Sequence, residues 1–296
     1  MEIVIYDKTT FGSHLGFQKN LSRTYQDAIN RTMYSLQFFL GSNRSYNRTK
    51  LGDDDIKATI ALQEKEPINV FTHCSLLYNL AGSIKEKNLA WSGNSKVDDT
   101  MNKIVSGIEY ELSVTSNFCR GGCKNGCVVH VGSWPDKKKG METIAKTINK
   151  INFPKGSTLL LENTAGRGTT IGKTFDELKY IYSLVDEEKK DNIKFCLDTA
   201  HIFASGVYDI RKQEQVDKMF NDFQSSFSLD KLGLIHFNDS HYDYNTQGDE
   251  HACIGTGKIW KDNMTPCKYI LDKIDKYQIP LVLETYASDI DVIQRL

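Results

Sequence analysis

Six apolar runs in this chain each end in a residue type that can bind a metal: His73 after INVFT, His130 after CVV, Glu162 after TLLL, Asp198 after KFCL, His236 after LGLI and Glu284 after PLVL. Any one of them has an ordinary reading as a helix cap or a satisfied buried residue. Their shared position is the informative feature. The stretch KFCLDTAHIF (194–203) shows it compactly, because Asp198 closes an apolar run and His201 follows three residues later. A second short segment, GDEH, adds Asp249 and His251, so five of the seven histidines fall in the set and only His14 and His241 lie outside it. Imidazole and carboxylate without thiolate suit zinc, manganese or iron better than calcium or a four-cysteine structural zinc. Nine donors are too many for one tetrahedral ion and suffice for two or three ions that share a carboxylate. Burying several acids together without cations would be costly, so bound metal also explains why the acids are tolerated.

Positioning such a set requires strands that finish on one face. Eight runs have strand character: EIVIY (2–6), SLQFFL (35–40), INVFTH (68–73), CVVHV (127–131), STLLLE (157–162), KFCLD (194–198), LGLIHF (232–237) and PLVLE (280–284). Most are separated by about thirty to fifty residues, room for a crossover helix between parallel strands. Two helix starts are marked. Thr174 with Glu177 forms a capping box, and Thr265 precedes Pro266 at a first helical position. No linker rich in Pro, Gly or Ser divides the chain, which predicts one domain over residues 1–296. Eight strands alternating with helices predict an α/β fold of the (β/α)8 TIM-barrel type, whose active site lies at the C-terminal strand ends. A doubly wound open sheet is the competing arrangement.

Composition narrows the partners. Lys plus Arg is 37 against 38 for Asp plus Glu, so there is no global pull toward nucleic acid or anionic lipid. The first fifty residues differ, with seven basic against three acidic side chains, a balance of +4 that is compatible with phosphate contacts. MEIVIYDKTT has neither a basic leader nor a long apolar region, and no run approaches a membrane span. Seven cysteines in a large chain point to reduced thiols and an intracellular protein without membrane attachment. Cys119, Cys123 and Cys127 sit at regular spacing but make an incomplete zinc set.

Five motifs carry a family resemblance: LLLENTAGRGTTIG (159–172), CLDTAHIFASG (196–206), HFNDS (236–240), GDEHACIGTGKI (248–259) and IPLVLETY (279–286). In type and order they resemble the signatures of the endonuclease IV family of apurinic/apyrimidinic (AP) endonucleases, and the similarity runs from GSHLG near residue 12 to the C-terminus. The Lys-, Asn- and Ile-rich composition is similar to that of a large-DNA-virus member, which would place the protein in the host cytoplasm or nucleus, or in the virion.

The resemblance implies a TIM barrel with three zinc ions per chain, for which manganese or iron could substitute. It implies one ion on His73, His130 and Glu162, a second on Glu162, Asp198, His236 and Glu284, and a third on His201, Asp249 and His251. Glu162 would bridge and Glu284 would orient the attacking water, which makes these two the expected catalytic residues. The implied reaction is hydrolysis of the phosphodiester 5′ to an abasic site, leaving a 3′-OH, with 3′-phosphodiesterase and 3′-5′ exonuclease activity. The implied partner is double-stranded DNA containing abasic or 3′-blocked sites, met by a monomer. Family members kink the duplex with an Arg on the loop after the second strand, matched by Arg44, and with a Tyr-Leu pair after the first His ligand. Here Leu76 replaces the aromatic residue and Leu77 matches. Two other readings stay open at this point: a metal-dependent sugar isomerase or epimerase barrel, and a non-catalytic lesion-binding protein.

Overall fold

The computed structural model describes residues 11–286 and 288–296. Eight parallel strands close into a barrel: β1 (Phe11–His14), β2 (Ser35–Phe39), β3 (Asn69–His73), β4 (Asn125–His130), β5 (Leu159–Glu162), β6 (Ile193–Asp198), β7 (Leu232–His236) and β8 (Leu281–Leu283). Seven of the expected runs supply β2 to β8, while EIVIY lies outside the described residues. The first stave is instead FGSH, which has no apolar run to announce it. It is held by its backbone and its small side chains. Ser13 Oγ donates to the Leu283 carbonyl at 3.2 Å, and a Cβ on Gly12 would lie only 1.5 Å from the Ser35 carbonyl oxygen. A parallel sheet needs cover on both faces, and that is why β2 to β8 read as continuous apolar runs.

Side-chain alternation sorts these residues inward and outward. Phe71, Val128, Leu160, Cys196, Leu234 and Val282 pack together inside the barrel as a buried apolar cluster. The intervening residues, among them Val70, Val129, Leu161, Phe195, Ile235 and Leu283, face outward into the main core. There they meet the helical layer: α1 (Leu21–Asn30), α2 (Asp53–Lys65), α3 (Ser95–Thr115), α4 (Lys137–Ile148), α5 (Phe175–Ser183), α6 (Thr199–Ser205), α7 (Gln213–Phe227), α8 (Thr265–Lys276) and α9 (Asp289–Ile293).

Both expected helix starts are present, with differences of detail. Thr174 caps α5 by accepting from the Glu177 amide, but the Glu177 carboxylate returns to the amides of Gly172 and Lys173 rather than to Thr174. Thr265 proves to be the first residue of α8 and not its cap; Met264 occupies the cap position, and the Asn263 side chain accepts from the Thr265 amide. A short antiparallel ribbon, Asp239–Ser240 with His251–Ala252, rises above the C-terminal ends of the staves. Among the described residues no helix is long and apolar enough to cross a membrane.

Candidate metal centre

Each of the six strand-end donors stands two residues beyond a member of the inner apolar cluster: Phe71 before His73, Val128 before His130, Leu160 before Glu162, Cys196 before Asp198, Leu234 before His236 and Val282 before Glu284. Period-two alternation therefore turns all six side chains inward, onto the floor that the apolar cluster provides. The register sets their height, since His130 pairs directly with Glu162 and Asp198 with His236 on neighbouring staves.

Glu162 is the centre of the group and has no solvent exposure. Its Oε2 lies 2.9 Å from His130 Nε2 and 3.3 Å from His73 Nε2, and its Oε1 lies 3.0 Å from His236 Nδ1. Glu284 Oε2 is 3.3 Å from His236 Nδ1 and 3.7 Å from His251 Nδ1. Asp198 caps α6 through the His201 amide at 2.7 Å while its second oxygen faces His251 Nε2 at 3.4 Å. Cap and site residue are thus one carboxylate. His201 Nε2 meets Asp249 Oδ1 at 2.9 Å.

Backbone and amide groups fix the rings. His73 Nδ1 donates to the Cys74 carbonyl at 2.8 Å and His201 Nδ1 to the Asn163 carbonyl at 2.9 Å, which turns each Nε2 into the site. Gln37, midway along β2, places its Oε1 2.8 Å from His236 Nε2 and donates from Nε2 to Glu284 at 2.9 Å. Asn238 donates to Asp198 at 2.6 Å and to Glu284 at 3.2 Å. Sequence reasoning missed both amides and also left His14 outside the cluster, although His14 Nδ1 is 4.0 Å from Glu284 Oε1. His14 too ends a stave, but no apolar run marks that stave in the sequence.

The electrostatics show how closely opposite charges are matched. Burial alone would raise the Glu162 carboxyl, but the imidazoles of His130 and His236 outweigh it and hold the group well below its usual range. Burial opposes ionisation of Glu284 as well, yet His236 and His251 bring it down to about 2. The His201 contact holds Asp249 at about 2. Burial disfavours the charged forms of His201 and His236, but both are driven well above the ordinary imidazole value, His201 by Asp198, Asp249 and Glu162, His236 by Cys196, Glu284 and Glu162. Burial, helped by the neighbouring imidazoles of His73 and His236, brings His14 down to about 4 despite Glu284.

Protons on imidazole are therefore what balance the acids when cations are not there to do it. Metal ions can take over that role by displacing them. The donor set fits such ions. The ligand atoms of His73, His130 and Glu162 lie within 4.8 Å of one another, as do those of Glu162, Asp198, His236 and Glu284, and those of Asp198, His201 and His251. His251 Nε2 is buried without a hydrogen-bond partner. In the third group Asp198 stands where the resemblance implied Asp249, because His251 turns its Nε2 toward Asp198 while Asp249 approaches from the rim with its side chain 46% exposed. Arg44, Leu76 and Leu77 are exposed beyond the same strand ends. The three regularly spaced cysteines do not form a site: Cys119 is exposed, Cys123 half-buried, and Cys127 buried with its Sγ 3.1 Å from Cys74 Sγ.

Comparison with known proteins agrees with this geometry. Residues 121–295 match the family described as a xylose isomerase-like TIM barrel. Probable endonuclease 4 of Methanosphaera stadtmanae is 32% identical over 97% of this chain and 99% of its own length. Probable endonuclease 4 of Thermotoga petrophila is 32% identical over 93% of this chain and 90% of its own. The crystal structure of endonuclease IV from Thermus thermophilus superposes with a TM-score of 0.77 at 24% identity, covering 96% of this chain and 97% of the other. A closed parallel barrel, a clustered donor set at its C-terminal mouth and relatives of this identity along nearly the whole chain leave one conclusion: the protein belongs to the endonuclease IV family and is an AP endonuclease of DNA repair.

Proposed function

We propose that the nine donors hold three zinc ions and that the enzyme hydrolyses the phosphodiester 5′ to abasic sites in duplex DNA, leaving a 3′-OH, with 3′-blocked ends entering the same cleft. At about three protein donors per open catalytic ion, nine donors serve three ions. His73, His130 and Glu162 would hold one and Glu162, Asp198, His236 and Glu284 a second. His201 and His251 would hold the third with Asp249, and Asp198 stands near enough to join them. Manganese or iron would be accepted by the same nitrogen and oxygen donors. When bound, divalent ions supply Lewis acidity toward phosphoryl oxygens and lower the pKa of water from ~15.7 to about 7, which removes the need for a strong protein base.

The chain's own residues then have distinct tasks. Glu162, reached by imidazoles on both oxygens, is the carboxylate suited to being shared. Glu284, whose Oε2 faces His236 and His251, would orient the attacking water. One observation carries the assignment to a DNA lesion. A cleft of about 360 Å³ has His130, His201 and Asp249 in its wall and the exposed leucines Leu76 and Leu77 at its lip, 46% and 41% exposed. Apolar side chains at such a lip can enter a base step and unstack it, and an abasic nucleotide flips at low cost because it has no pair to break. Arg167 lines the same cleft and Arg44 stands exposed beyond β2. Their guanidinium groups suit phosphate.

The test is a labelled duplex with one abasic site. A single cut 5′ to the lesion with a 3′-OH terminus is expected. An unsaturated aldehyde at the 3′ end, the product of elimination, would contradict hydrolysis.

A further inference from the structure

Arg48 is a buried arginine on a surface loop. Its side chain is 2% exposed, and it pairs with the wholly buried Glu111 of α3, Nη1 to Oε1 at 3.3 Å. Its Nη2 donates to the Ser42 carbonyl at 3.0 Å and also to the Ser45 carbonyl, the two residues that bracket Asn43 and Arg44. The same guanidinium lies 5.6 Å from the centre of the Tyr78 ring, and Tyr78 stacks on Tyr46 at 6.1 Å. The loop is in turn fastened to the segment after β3, since the Asn43 carbonyl accepts from the Leu76 amide at 2.9 Å and from Ser75 Oγ at 3.0 Å.

A buried ion pair is expensive to form, and replacing one by apolar packing is often neutral for stability. Its geometry here is directed at the loop: every hydrogen bond of Arg48 other than the one to Glu111 goes to a carbonyl flanking Arg44. The planar fork spreads its donors over two nitrogens, Nη1 toward the carboxylate and Nη2 toward the two carbonyls, whereas an ammonium group would have to reach all three from a single nitrogen.

We propose that Arg48, anchored by Glu111, is the positioning residue of the lesion-recognition rim, holding the loop of Arg44 against the segment of Leu76 and Leu77 so that both meet the duplex as one preformed unit. The inference rests on the proposed DNA contacts of that rim. Preorganisation of this kind acts on binding, because ordering a loop at the moment of association reduces affinity.

Steady-state kinetics of Arg48→Lys on an abasic duplex test it, with hydrolysis of bis(p-nitrophenyl) phosphate as a substrate too small to touch the rim. Lysine keeps a cation beside Glu111, so the barrel retains its fold. The expected result is a KM for the duplex raised about tenfold with kcat within about twofold and small-substrate hydrolysis unchanged. Glu111→Gln, which keeps an oxygen for Arg48, should stay closer to wild type than Glu111→Leu. Unchanged duplex KM in Arg48→Lys, or a parallel loss on duplex and small substrate, would overturn the proposal. Arg44→Ala serves as the companion: if it too leaves duplex binding unchanged, the reading of the rim itself fails, whereas weakened binding in Arg44→Ala alone removes only the clamp.

Discussion

Glu162 has no solvent contact, yet its two oxygens have three imidazoles within 3.3 Å. Glu162→Gln keeps the shape and removes the charge. The variant is expected to fold while its nicking of a duplex carrying one tetrahydrofuran residue falls at least about a hundredfold, the upper range for losing even an outer-shell partner of a metal. Activity equal to wild type would remove Glu162 from the mechanism. Leu76 is one position where this chain departs from the family resemblance. Leu76→Tyr should tighten abasic-duplex binding about fivefold, on the order of 1 kcal/mol of stacking, and an unaltered Kd in a binding titration would take position 76 out of the DNA interface. At this scale the six strand-end donors were legible because each closes an apolar run. Gln37 and Asn238 were not, because an amide in or beside a strand has many unremarkable uses and only the fold shows which carboxylates it touches.

Among the elements, the ribbon that brings Asp249 and His251 over the barrel depends on a bare backbone. A Cβ on Gly248 would lie 2.0 Å from Cγ of the Tyr242 ring, and the His241 amide bonds back to the Glu250 carbonyl at 3.1 Å. Gly248→Ala must displace the ring or the turn, at a cost on the order of 1–3 kcal/mol. Nicking activity and bound metal are expected to fall together, with the remaining barrel folded by circular dichroism; full retention of both would show that the ribbon tolerates the shift. β2 to β8 were readable from sequence, since strands covered on two faces are apolar throughout. β1 was not, because FGSH contributes a close backbone contact and small side chains where the others contribute bulk. The same cause hid His14 from the cluster it borders.

For the whole molecule, the opposing charges at the barrel mouth fix how stability should respond to pH. The raised imidazoles of His201 and His236 stabilise the metal-free fold below about 6.5, the unfolded histidine value, and that contribution is lost as pH rises through their higher folded values. Glu284 and Asp249, lowered to about 2, contribute above the unfolded carboxylate values of about 4 and lose that contribution as acid approaches 2. Chelator-treated protein should therefore melt at progressively lower temperature from pH 6 to pH 9. Metal-loaded protein should do the reverse near pH 6 to 7, as protons cease to compete with ions for the imidazoles. Parallel pH profiles by differential scanning calorimetry would contradict a cation-binding mouth.

The most direct measurement is elemental analysis of the purified chain alongside its abasic-nicking rate. Close to three zinc, manganese or iron ions per chain are expected, with the rate falling in step as chelator removes them and returning when they are restored. Protein free of such metals that still nicks at the full rate would contradict the assignment.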